Sequence, residues 1–211
     1  EIDGLIGPKT RNSWAEFKTD VFLGNSSLIG RESIEVLQNN LDELGNSQNR
    51  DFSTKEETIE SIIQECKAQG LVIDTQIAYV LATTQWETAQ TFEPVREAFW
   101  KSEEWREENF RYYPYYGRGY VQLTWESNYQ KYSNILDMDL VEEPDLAMKP
   151  EIASFILVHG FKIGIFTGRK IGDYISESKT DFINARRCIN GRDKASEIAA
   201  IAETFLDKFK N

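Results

Sequence analysis

The stretch from Trp86 to Trp125 constrains this chain most. Around it, apolar residues recur at helical spacing; within it, aromatic side chains crowd together instead: Phe99, Trp100, Trp105, Phe110, Tyr112, Tyr113, Tyr115 and Tyr116. It also holds Glu87, Glu93 and Glu97, and closes on Tyr116-Gly117-Arg118-Gly119-Tyr120-Val121-Gln122-Leu123-Thr124-Trp125. The fold this implies is mainly α, with a long irregular middle of the kind that carries function. Acid groups beside flat, amphipathic rings suit a site that grips sugar rings and breaks a bond between them.

The helical stripes run in order. Residues 3–17 read as a turn and a short helix, with Pro8 at a first helical position and Trp14, Phe17 and Val21 on one face. Gly24-Asn25-Ser26-Ser27 is the linker candidate, dividing the chain into an N-terminal helix at 1–24 and a main domain at 25–211. Ile34, Leu37, Leu41 and Leu44 form the next stripe. Ser53-Thr54-Lys55-Glu56 is a capping-box pattern before a stripe of Ile59, Ile62, Ile63 and Cys66. Asp74 is placed to cap a largely buried helix through Ile77, Ala78, Val80, Leu81 and Thr84, so Glu87 arrives at its end, a rigid place from which to aim a carboxylate. Thr124 can cap a helix bearing Tyr129, Tyr132 and Ile135; Pro150 opens an apolar helix through Ile163, and a last one runs from about Asp193 to Phe209. Strand signals are confined to Tyr120–Leu123.

Charge and rare residues exclude several chemistries. Lys plus Arg number 24 against 35 Asp plus Glu, a net charge of -11, so nucleic acid is an unsuitable partner. The same field would repel an anionic surface mildly and be indifferent to a neutral polysaccharide. No apolar run approaches the roughly 20 residues that cross a bilayer, and any export signal has been removed or never existed. Cys66 and Cys188 fit neither a zinc spacing nor a redox pair and read as two buried thiols, with a disulfide as the alternative. His159, the single histidine, reads as a hydrogen-bonded residue on a packed helix, which argues against Ser-His-Asp or Cys-His catalysis and against a multi-histidine metal site.

Glycoside hydrolysis needs one carboxyl that donates a proton to the leaving oxygen and a second that activates water or attacks carbon. Partial burial of Glu87 beside the apolar helix would favour the proton-donating form. Glu97 lies across Pro94 in a segment able to fold back opposite, with Glu93, Glu103 and Glu104 as rivals. A separation of about 6.5–9.5 Å would admit a water and give inversion. From spacing alone these are equally solvated surface glutamates, and the rings are as readily core as platform.

The segment Tyr116–Trp125 closely resembles the YGRGxxQLT/S signature of family 19 glycoside hydrolases, the lysozyme-like group of chitinases and phage or bacterial endolysins. Further likenesses follow in the family's order. Trp86-Glu87-Thr88 resembles its His-Glu-Thr, and Val95-Arg96-Glu97 the segment with the second glutamate in short-loop bacterial and phage members. Asn128-Tyr129, Asp139-Leu140-Val141, Pro144-Asp145-Leu146 and Phe166-Thr167-Gly168 match in turn, and Asn184–Gly191 is similar to the NxxRxxING block. The resemblance spans roughly Ile73 to Phe209. Separately, Asp3-Gly4-Leu5-Ile6-Gly7-Pro8-Lys9-Thr10 resembles the DGxxGPxT turn that closes bacterial peptidoglycan-binding domains, so either the sequence begins inside a longer parent or this is a helix packed on the core.

The resemblance implies a two-lobed lysozyme-like helical domain with a substrate cleft and little β, acting without metal or cofactor. It would be a monomer, extracellular or cell-wall-directed, that hydrolyses β-1,4 bonds in an N-acetylglucosamine-containing polymer with inversion. It implies Glu87 as general acid, Glu97 as general base, and Thr124 holding the attacking water by its hydroxyl. Gln122, Asn128 and Asn190 would hydrogen-bond the N-acetyl sugar, and Tyr116 and Arg118 complete the substrate-binding set. Arg118 or Arg187 would orient the base carboxylate or else support the fold as an ion pair. This chain departs from the family at Trp86, where the family has histidine, and at Ala89-Gln90, which replace a glycine pair. Chitin and peptidoglycan are the two substrates implied, and a binding module that has lost turnover is the alternative from another class.

Overall fold

Helical stretches with few strand residues require a fold that buries helix against helix. The computed structural model describes residues 50–210, and the readings for 1–49, including the turn at 3–10, the linker at 24–27 and the 34–44 stripe, lie outside the described residues. The helices follow in order as α1 (Lys55–Ala68), α2 (Asp74–Glu87), α3 (Glu103–Asn109), α4 (Glu126–Leu136), α5 (Pro150–Ile163), α6 (Phe182–Ala185) and α7 (Ala195–Phe209). Tighter 3-10 turns stand at Pro144–Met148, Ile171–Asp173 and Arg186–Cys188. The mainly α class is as the sequence implied.

α2 organises the core. Residues 76–84 are buried without a break, so this helix is enclosed all round and packs against α1, α5, α7 and the small sheet. The Tyr79 ring stacks on Phe182 at 5.7 Å and meets Phe161 edge-on at 6.0 Å. Asp74 is not the cap. Ile73 takes that position with no side-chain bond, and Asp74 serves the first turn, where its charge complements the helix dipole.

Other local readings shift by a residue or change role. Thr54, not Ser53, caps α1 by accepting from the Glu57 N–H at 3.2 Å. Ile62 and Cys66 are fully buried on the expected stripe. Pro150 opens α5 and Ile163 closes it, as the sequence implied. Thr124 does not cap α4; Trp125, at φ 76°, stands there instead. Tyr129 and Tyr132 are buried on α4, but Ile135 is exposed.

The expected strand at Tyr120–Leu123 is instead a tight turn closed by one antiparallel bridge between Arg118 and Leu123. The two-stranded sheet lies elsewhere, β1 (Ile175–Ser176) paired antiparallel with β2 (Lys179–Thr180), and Gln76 of α2 donates to the Ile175 carbonyl at 2.8 Å. α3 was not legible as a helix because it carries no apolar stripe. It forms because Ser102 accepts from the Trp105 N–H and because Glu103 and Glu104 occupy its first turn.

Both cysteines are buried free thiols. His159 sits between the rings of Phe155, stacked at 5.3 Å, and Tyr132 at 5.7 Å. Its Nδ1 has no hydrogen-bond partner, so ring packing rather than a hydrogen bond there defines its surroundings. Among the described residues no helix is long and apolar enough to cross a membrane.

Candidate active site

Glu87 is the last residue of α2, whose buried face fixes its position. Its side chain keeps 21% of its surface exposed, and Arg186, 4% exposed, donates through Nη1 to Glu87 Oε1 at 2.7 Å. Arg186 also donates through Nε to the Asp193 carbonyl at 3.1 Å. The turn Arg186–Cys188 thus delivers a cation to the end of α2 across 99 residues of chain. The sequence names Arg118 or Arg187 to orient the base carboxylate, whereas the arginine bonded directly to a candidate carboxylate stands at the expected acid, Glu87. Arg187 is exposed, and the side chain beside a catalytic candidate is that of Arg186.

After Glu87 the chain turns sharply. Thr88 is buried and accepts from the Phe92 N–H at 3.0 Å, while Ala89, Gln90 and Phe92 adopt φ of 49°, 74° and 60°. Positions 89 and 90, where the resembled family has glycines, therefore keep a backbone that glycine accommodates most easily.

Glu97 is held on every side by donors and acceptors of the irregular segment. Its Oε1 accepts from the Tyr112 hydroxyl at 2.9 Å and its Oε2 from the Gly117 N–H at 2.8 Å. Its backbone N–H donates to the Gly117 carbonyl at 2.8 Å, and Val95 N–H donates to Gly119 at 3.3 Å, so 95–97 runs alongside 117–119. Arg106, 4% exposed on α3, donates to the carbonyls of Glu97 and Ala98, each at 2.9 Å. Burial, and next the bond to Glu97, push the Tyr112 phenol up to about 12, which keeps it a donor.

The rival glutamates lack such a frame. Glu93 and Glu104 are exposed, and the Glu103 carboxylate accepts from Arg106 at 3.0 Å and from the Tyr116 hydroxyl at 3.1 Å.

Two residues assigned to substrate contact are buried among their neighbours. Tyr116 has 0% exposure, with the Arg118 guanidinium 3.8 Å from its ring centroid and Arg106 and Arg96 at 5.3 and 5.9 Å. Arg118 is 3% exposed and is consumed by Asp145, by the Pro114 and Tyr116 carbonyls and by the Tyr129 hydroxyl. Both residues build the loop that holds Glu97. Gln122, at φ 55°, donates to the Val95 carbonyl at 2.8 Å and so ties the two strips together.

The Thr124 hydroxyl donates to the Gln122 carbonyl at 2.7 Å, which leaves its oxygen to act as an acceptor. Asn128 Nδ2 donates to the Thr124 carbonyl at 2.8 Å. Asn190 is exposed, its Oδ1 accepting from the Gly191 N–H at 2.8 Å, and its block is tied to 164–170 by the Thr167 hydroxyl, which donates to the Arg187 carbonyl at 2.6 Å.

Rings that do face solvent are Phe99 and Trp100, 69% and 70% exposed, and Trp125, 44% exposed. Phe99 and Trp100 directly follow the Glu97-Ala98 pair and meet edge-to-face at 5.3 Å. Trp125 packs against Tyr112, the residue that donates to Glu97, at 5.0 Å. Among the described residues no group of three His, Cys, Asp or Glu side chains converges as a metal site would.

Residues 83–164 match the family model described as chitinase class I, glycoside hydrolase family 19. Chitinase 8 of rice, Oryza sativa subsp. japonica, is 55% identical over 42 residues, and rice Chitinase 11 is 48% identical over 42 residues. Each of these stretches covers 20% of this chain and 16% of the relative's length. The family match takes in Glu87, Glu97 and Thr124 but ends before Arg186 and Asn190.

Proposed function

Taking residues 83–164 as a family 19 glycoside hydrolase region, we propose that this chain hydrolyses β-1,4 bonds between N-acetylglucosamine units, with chitin or its oligomers as the substrate. The carrying observation is Glu97. Its two oxygens accept from Tyr112 and Gly117, its backbone is pinned by Arg106, and exposed rings flank it in sequence and in space. A carboxylate whose oxygens are both oriented by neutral donors, beside surfaces able to stack on pyranose faces, is suited to activate a water at a bound sugar.

Glu87 is the proton donor to the leaving oxygen, aimed from the end of α2 and steadied by Arg186. Glu97 takes a proton from the attacking water, and the Thr124 hydroxyl oxygen accepts that water's other proton, so the nucleophile is oriented from two sides. Attack opposite the departing oxygen inverts the anomeric carbon. Asn128 and Asn190 offer amides toward the N-acetyl group, together with the carbonyl end of Gln122. No cofactor enters this scheme. A protein with this chemistry meets its polymer outside the cell or in a cell wall.

Peptidoglycan is the second reading, favoured by the sequence of residues 3–10, which resembles the closing segment of peptidoglycan-binding domains. Parallel digests of a chitin hexamer and purified peptidoglycan, with products identified by mass spectrometry and anomers by NMR, test the scheme. Short chitooligomers released first as the α-anomer are the expected result, and Glu87→Gln should lower kcat by about 100- to 10,000-fold. β-Anomers would remove the inverting scheme, and muropeptides alone would move the substrate to the bacterial wall. Binding without release of either product would make the chain a carbohydrate-binding module.

A further inference from the structure

Behind the Glu97–Gly117 pairing, two arginines converge on one acid from a distant turn. Arg96 precedes Glu97, and Arg118 follows Gly117. Asp145, in the 3-10 turn Pro144–Met148, accepts from Arg96 Nη1 and Nη2 at 3.0 and 2.8 Å and from Arg118 Nε at 2.7 Å. It lies 49 residues from the first arginine and 27 from the second. The two guanidiniums and Asp145 line a cavity of about 550 Å³, together with Glu103, Tyr115 and Glu142.

We infer that Asp145 is a positioning residue for Glu97: by holding Arg96 and Arg118 together it clamps the two strips whose pairing presents the Glu97 carboxylate. This rests on the glycosidase reading above. The clamp has few substitutes. Arg118 is buried, and its Nη1 is spent on the Pro114 and Tyr116 carbonyls and the Tyr129 hydroxyl. Without Asp145, Arg118 Nε loses its partner inside the protein, and Arg96 keeps only the Tyr116 hydroxyl, at 2.6 Å. Two cations beside the Tyr116 ring would then lose their shared counter-charge and drift toward solvent, carrying residues 96 and 118 with them. Those residues adjoin the donor and the acceptor that fix Glu97. A displacement of about 1 Å at a reacting group costs on the order of 100-fold in rate.

The test compares wild type, Asp145→Asn, which keeps the shape and removes the charge, and Asp145→Glu, which keeps the charge. Two readouts are taken: kcat and KM on a soluble chitin hexamer, and amide hydrogen exchange at Glu97 and Gly117. Asp145→Asn should lower kcat by about 10- to 100-fold with KM within about twofold. It should speed exchange at Glu97 and Gly117 at least about tenfold while amides of α2 and α7 keep their rates. Asp145→Glu should recover part of both. Unchanged kcat and exchange in Asp145→Asn would overturn the inference, as would exchange that quickens equally throughout α2 and α7, since that marks a loss of global stability. An inert wild type in which Asp145→Asn still speeds exchange only at 97 and 117 would leave the clamp standing and remove the glycosidase reading it serves.

Discussion

Replacing Gly117 by alanine tests the placement of Glu97 at its closest support. An alanine Cβ at position 117 would stand 2.6 Å from Gln122 Oε1, 3.1 Å from Gln122 Cβ and 3.2 Å from its Cδ. The first contact is too short to persist, so the Gln122 amide must swing away and lose its bond to the Val95 carbonyl, now 2.8 Å long. The lost hydrogen bond costs about 1 kcal/mol. Displacing neighbours in a packed site adds roughly 1–3 kcal/mol, and the lower end applies because the clashing group is the free end of a side chain. The sum, about 2 kcal/mol, corresponds to a fall in Tm of roughly 4–8 °C for a domain of this size. The strips 95–97 and 117–119 then part, and kcat on a chitin hexamer drops by about 10- to 100-fold. The reasoning blames one side chain, and a double-mutant cycle on Tm isolates it. In a Gln122→Ala background only the 3.1 Å contact remains, so Gly117→Ala should cost less there, with a coupling of about 1–2 kcal/mol. Stability is the quantity to cycle, since Gln122 is itself proposed to meet the sugar. Additive losses would refute the account.

Three further outcomes follow from the same structure. Ala89 and Gln90 hold φ of 49° and 74°, a region that costs an L-residue roughly 1–2 kcal/mol; Ala89→Gly and Gln90→Gly should each stabilise by about 0.5–1 kcal/mol after the added unfolded-state entropy, and a lower Tm in both would count against it. Burial pushes the Cys66 and Cys188 thiols up to about 12, so a thiol reagent at pH 8 should label the protein only as it unfolds; because the folded values lie above the unfolded one, that share of stability is present below about pH 8.5 and is lost as pH rises toward 12. Burial raises the Asp145 carboxyl, but bonds from Arg96 and Arg118 outweigh it and hold it below the usual carboxylate range; its stabilisation is therefore present above about pH 4 and lost as pH falls through its folded value, so the Tm gap between wild type and Asp145→Asn should narrow as pH falls below about 4, and a gap constant with pH would refute the charge argument.

What the sequence made legible follows from the range of each interaction. Apolar periodicity is local, so α2, α5 and α7 could be placed to within a residue or two. Capping is local as well, but it turns on which of two adjacent residues leaves helical backbone: Thr54, extended, caps α1 in place of Ser53, and Trp125, at φ 76°, stands before α4 in place of Thr124. α3 was missed because a cap and two charges build it, with no stripe to betray it. Tyr116 and Arg118 were read as substrate contacts because an aromatic ring and a cation in a glycine turn look the same in sequence whether they face a sugar or each other. Arg118 finds its acid partner in Asp145, 27 residues beyond it, which no local pattern reveals.

The arginines mark the same boundary more sharply. Arg186 lay inside the block that resembles NxxRxxING, at the arginine that precedes its last five positions, so its alignment was available; its partner Glu87, 99 residues away, was not. Arg106 carried no signal beyond its proximity to Trp105, yet it alone reaches both carbonyls next to the Glu97 side chain. A helical fold leaves its carbonyls satisfied within helices, whereas an irregular segment must find donors elsewhere. Of the three arginines grouped around the Tyr116 ring, Arg106 and Arg118 meet that need with donors to four carbonyls of residues 97–116, while Arg96 donates to the Tyr116 hydroxyl and Asp145. The aromatic crowd of 99–116 thus divides into exposed rings and rings built into a scaffold. Phe99, Trp100 and Trp125 stay exposed, while the arginines around Tyr116 brace the loop whose Gly117 N–H holds the carboxylate at position 97.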